Sequence, residues 1–149
     1  MSRLLTWSNT MPELITASEV EQVVRSYLKR NGCSVSSSRK WGETGADIIA
    51  TRGKSTWFVE IIGFHSNKSV RSRKFYEAFF RAISRDRNNP DDVLVIGLPV
   101  RFKAGMRQRM NQYPVAWQKL GKVFPSLQIW YADISDKTVK KHLWVVPFD

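Results

Sequence analysis

Cysteine is nearly absent from this chain. Cys33 is the only one among 149 residues, which excludes an internal disulfide and any cysteine-built zinc site. Histidine is almost as scarce. His65 and His142 stand far apart and isolated, so a histidine zinc site is not indicated either. Carboxylates are few: 13 acidic residues face 24 Lys and Arg, leaving a net charge of +11. No stretch is apolar enough to span a bilayer, and residues 1–7 lack the long apolar run of a signal peptide, so a cytoplasmic protein is expected. There is no phosphate-binding Gly loop, no nucleophile elbow and no zinc-finger spacing. What is present suits one folded unit over 1–149, with 42% hydrophobic and 12% aromatic residues. The cationic excess favours a polyanionic partner through counterion release. A merely basic soluble protein, or one that meets an acidic protein, would share that charge.

Periodicity sets the elements. Residues 1–15 show no clear period and read as an irregular arm. Thr16 with Glu19, or Ser18 with Glu21, offers a capping box for a first helix. Val20, Val23, Val24, Tyr27 and Leu28 supply its buried stripe, and Asn31 and Gly32 end it. A short strand at 33–37 leads through a polar loop, 38–45, to strands at 46–51 and 56–64. A second helix spans about 70–86, with Phe75, Ala78, Phe79, Ala82 and Ile83 at helical spacing. The continuous apolar run 92–98 reads as a central strand. A helical region at 102–120 is interrupted near Pro114. Strands at 127–134 and 138–146 close the chain, giving the order αβββαβαββ.

Two of these strands each carry one carboxylate, Asp47 and Glu60. A carboxylate in an apolar strand is costly unless it is paired or binds a metal. Two on neighbouring antiparallel strands can converge on one divalent cation. Gly45-Ala-Asp47 followed by Glu60-Ile-Ile62 resembles the PD-(D/E)xK nuclease superfamily, in which a Gly-x-Asp strand precedes a strand ending Glu-x-Lys. The departure is Ile62, where that pattern has Lys.

The resemblance implies a restriction-endonuclease-like α/β fold, a three-layer α/β/α arrangement around a central mixed sheet. It implies Mg²⁺ or Mn²⁺ held by Asp47, Glu60 and the backbone carbonyl of Ile61, and DNA rather than RNA as the partner, with a homodimer left open. Glu21, followed by Val24, Tyr27, Leu28 and Gly32, matches the first-helix Glu that faces the cation in such proteins. Its other reading is a capping or solvated Glu, and Glu43 is a weaker acidic candidate. Isoleucine cannot replace the lysine's charge. Either a basic residue reaches in from elsewhere, Lys68 or Lys74 being the candidates, or catalysis is lost and the fold is kept as a non-catalytic nucleic-acid-binding module.

The second helix offers the nucleic-acid face. Lys74, Arg81 and Arg85 recur at i, i+7 and i+11, opposite the phenylalanines, with Arg71 and Arg73 at its N-terminal end. A solvated face would look the same. Arg101, Lys103, Arg107 and Arg109 make a second basic segment. Arg39 and Lys40 flank Trp41, which either stacks on a base or covers the core edge.

Overall fold

Thr16 opens the first helix. Its hydroxyl accepts from the Glu19 N–H at 3.1 Å while the Glu19 carboxylate reaches back to Thr16, so the first of the two candidate capping boxes is the one that forms. The computed structural model describes residues 13–37 and 45–146. Within them the chain runs β1 (Glu13–Ile15), α1 (Ala17–Arg30), β2 (Ser34–Val35), β3 (Ile48–Arg52), β4 (Ser55–Ile61), β5 (Phe64–His65) and α2 (Lys68–Ser84). It continues through β6 (Asp92–Pro99), a 3-10 turn (Val100–Phe102), α3 (Lys103–Gln112), α4 (Pro114–Val123), β7 (Leu127–Asp133) and β8 (Thr138–Leu143). No helix among the described residues is long and apolar enough to cross a membrane.

Six strands form one mixed sheet in the order β2-β3-β4-β6-β7-β8. The β2–β3–β4 and β7–β8 pairs are antiparallel, and β4, β6 and β7 are parallel. Strand β6 is central and buried, as its unbroken apolar run requires. A two-residue turn, Gly53-Lys54, joins β3 to β4. Its first position has φ of 61°, a conformation glycine adopts without a Cβ penalty.

Alternation along the strands builds two cores. Ile48, Ala50, Val59, Ile61 and Val95 pack with Val20, Val23, Val24 and Leu28 of α1 on one face. Ile62, Leu94, Ile96, Leu98 and Ile129 pack with Phe75, Ala78 and Ala82 of α2, Met106 of α3 and Trp117 of α4 on the other. This is the three-layer α/β/α arrangement. Pro114 occupies the first turn of α4, where its missing N–H needs no partner, and this divides the expected single helical region in two.

Two expectations change. Residues 13–15 are not irregular: they pair antiparallel with β5. The strand expected through residue 64 breaks after Ile61, and Phe64–His65 leave the main sheet to pair with β1. Gly63 permits this crossing. A Cβ there would collide with the Ile15 carbonyl oxygen and lie 2.8 Å from the Ala17 nitrogen.

Candidate active site

The β3–β4 register places Asp47 against Glu60, one step beyond the Ile48–Val59 pair. Ile48 and Val59 point to the α1 core, so alternation turns both carboxylates toward the α2 side. They interlock through the backbone. The Ile61 N–H donates to Asp47 Oδ2 at 2.8 Å, and the Asp47 N–H to Glu60 Oε2 at a longer 3.4 Å. Asp47 is half-buried, whereas Glu60 is only 1% exposed.

A cation meets this pair. Arg85, just beyond the last turn of α2, brings Nη2 to 3.2 Å from Glu60 Oε1. Its Nε is buried without a hydrogen-bond partner among the described residues. The Glu60 carboxyl nonetheless titrates above its ordinary value of 4.5. Burial raises it most and the Asp47 charge raises it further, while Arg85 and the Asp47 amide pull it back only in part.

Ile62 shares the face of Glu60 but is 5% exposed, within the apolar cluster that holds Phe75, Ala78 and Ile96. An ammonium at that position would lie among hydrocarbon. The counter-charge arrives from the end of α2 instead. Lys68 and Lys74 form no ion pair among the described residues, and it is Arg85 that meets Glu60. The pattern held a signal for this. Arg85 lies three residues past Ala82 and seven past Ala78, beside the buried stripe of α2.

Among the described residues Glu21 forms no metal-ligating group with Asp47 and Glu60. Its Oε2 pairs at 2.8 Å with Arg25 Nε, which sequence reasoning had not singled out. The same guanidinium donates to the Asp47 carbonyl at 3.3 Å and to the Ser36 carbonyl, tying α1 to the start of β3. Glu21 belongs to the helix that covers the opposite face of the sheet. Among the described residues no group of three or more His, Cys, Asp and Glu gathers to hold a metal. The carboxylates that do converge are the pair Asp47 and Glu60, with the Ile61 backbone N–H beside them. Carboxylate oxygens are hard donors of the kind that Mg²⁺ and Mn²⁺ accept.

The proposed cationic face of α2 divides. Arg73 and Arg81 flank Glu77 at 3.9 and 3.7 Å on the exposed side. Arg71 bonds the His65 and Ser66 carbonyls at 2.9 and 3.0 Å and stacks on Phe64. Lys74 is half-buried. Arg85 points to Glu60 and is not part of an outward face. Arg39, Lys40, Trp41 and Glu43 lie outside the described residues.

Residues 13–89 match the family model described as restriction endonuclease, a span that contains Glu21, Asp47, Glu60, Ile62 and Arg85. The chain belongs to the restriction endonuclease family, a family of nucleases. No curated protein and no solved structure matches it.

Proposed function

We propose that the protein is a cytoplasmic phosphodiester hydrolase acting on DNA with Mg²⁺ or Mn²⁺, and that Asp47 and Glu60 are its metal ligands, with the Ile61 carbonyl as a further donor. The observation that carries this reading is the convergence of two carboxylates on one sheet face, with Glu60 buried and its pKa raised. A divalent ion bound there supplies Lewis acidity toward a phosphate oxygen. The chain does the rest. The Ile61 N–H holds Asp47 Oδ2 in a fixed direction, and Arg25 fixes the Asp47 backbone from the other side. Arg85 is the cation placed to offset phosphoryl charge, in the role first assigned to Lys68 or Lys74.

A second reading has its own support. Ile62 is apolar and buried, and Arg85 already gives Glu60 a positive partner without metal. The same pair then serves only to hold the fold of a nucleic-acid-binding module. Calorimetric titration with Mn²⁺, alongside Mn²⁺-dependent nicking of plasmid DNA, separates the two. The enzyme reading expects both signals in wild type and neither in Asp47→Ala. DNA binding without Mn²⁺ binding selects the module.

A further inference from the structure

Several described cations each meet a carboxylate: Arg25 with Glu21, Arg85 with Glu60, Arg87 with Asp92 at 2.6 Å. One cleft breaks that pattern. Lys68 and Arg71 of α2, Arg101 of the 3-10 turn and Arg109 of α3 line a cavity of about 650 Å³ with no Asp or Glu among the described residues of its wall. None of the four forms an ion pair among the described residues. Gathering like charges without a carboxylate is unfavourable unless an anion enters.

The guanidinium groups are held in place. Arg71 and Arg101 both stack on the Phe64 ring, at 4.6 and 4.8 Å from its centre. Arg109 is fixed by the Gly105 carbonyl and the Ser72 hydroxyl, each at 3.0 Å. A fixed guanidinium loses little freedom on binding a phosphate.

A second cavity adjoins the first and shares Tyr76, Arg109 and Tyr113 with it. It measures about 300 Å³ and is otherwise walled by apolar and aromatic side chains. Trp117 and Trp144 in its wall stack 3.8 Å apart, and each indole N–H donates to the other's backbone carbonyl. These indoles are 6% and 2% exposed and back the hollow, and Arg109 is the one charged residue among its described lining residues. Tyr76 and Tyr113, at the junction, are 49% and 52% exposed.

A ligand that fits both cavities has a flat aromatic part and an adjacent anion. We propose that this surface binds an unpaired nucleotide, its base in the aromatic hollow and its phosphodiester in the acid-free cleft. The protein therefore favours single-stranded segments over duplex, because a paired base stays inside its stack. Stacking tolerates any base, so the preference is for strandedness and not for sequence. This rests on the reading above only in taking nucleic acid as the partner.

The test uses fluorescence anisotropy of the full chain with a labelled single strand, its duplex, and an abasic strand of the same length. The intact strand should bind at least about fivefold more tightly than the abasic one. Tyr113→Ala and Tyr76→Ala, both at exposed positions, should each shrink that ratio while leaving abasic binding unchanged. Lys68→Gln with Arg101→Gln should weaken all strands and lower the salt slope by about 1.4, or 0.7 per lost phosphate contact. Equal binding of intact and abasic strands overturns the proposal. So does a base effect untouched by both tyrosine variants in folded protein. Tight, salt-dependent duplex binding that ignores these variants would spare the DNA reading and defeat this one. Absence of all nucleic-acid binding at low salt defeats both.

Discussion

Arg85→Ala should destabilise the protein by about 2–4 kcal/mol at pH 8, and by less at pH 5. Removing one partner of a buried pair costs about 3–5 kcal/mol, because the other charge is stranded. The lower figure applies here because the Arg85 side chain is 27% exposed and Glu60 can take up a proton. The direction with pH follows from linkage. Folding raises the Glu60 pKa above 4.5, so the folded state holds this proton more tightly than the unfolded chain. The contribution is then fully favourable below about pH 4.5 and declines as pH rises through the folded value. Arg85 is one of the groups that hold that value down, so its loss extends the decline to higher pH. Urea unfolding followed by tryptophan fluorescence at pH 5 and pH 8 gives the two free energies. At about 2–4 °C per kcal/mol for a chain of this size, the loss at pH 8 also lowers Tm by roughly 4–16 °C. Glu60→Gln supplies the control: in that background Arg85→Ala should cost under about 1 kcal/mol. A cost equal at both pH values, or undiminished in the Glu60→Gln background, would refute the coupling. If Mn²⁺ replaces the guanidinium, the ion at about 100 times its Kd should return about 2.7 kcal/mol to the variant.

Asp47→Ala removes the acceptor of the Ile61 N–H and should lower stability by about 1–3 kcal/mol, with loss of Mn²⁺ binding by calorimetry. Ile62→Lys buries an ammonium in the α2 core and should cost about 2–4 kcal/mol in urea unfolding. In the fraction that stays folded, its Mn²⁺-dependent plasmid nicking should exceed that of wild type by ~10²-fold or more if the ammonium reaches the carboxylate pair. Gly63→Ala should release β1 from β5, seen as faster amide exchange at residues 13–15 than in wild type.

Local signals carried most of the fold. The Thr16–Glu19 box, the valine stripe of α1, the apolar run of β6 and the helix break at Pro114 each depend on neighbours within a few residues, and each appears where the pattern placed it. Strands β1 and β5 were not legible, because two or three residues have no period of their own and form only by pairing across the fold. The candidate site divides the same way. Asp47 and Glu60 were visible as carboxylates in apolar strands, and the tight β3–β4 turn brings them together. Arg25 was not, and Arg85 read as part of an outward cationic face, because a long side chain is aimed by tertiary packing more than by its position on a helix. Nor was the pairing of Glu21 with Arg25, one turn along.

The exchange at position 62 and the ion pair at Arg85 are two sides of one electrostatic requirement. Glu60 is too deeply buried to carry its charge alone, so some cation must approach it. A lysine on the strand would satisfy it from within the sheet face. Here that face is hydrocarbon: Ile62 completes the packing of Phe75, Ala78 and Ile96, and the charge comes from the end of α2. A guanidinium at a helix end remains partly open to solvent, whereas a strand lysine packed under α2 would not be. An anion or a second cation can therefore reach the Arg85–Glu60 pair without unpacking the core. Displacement of Arg85 by a divalent ion is the event on which the two functional readings differ. On the nuclease reading, Asp47 and Glu60 would hold the ion and Arg85 would be left to meet a phosphate. In the binding module, the pair stays closed and only stabilises the fold.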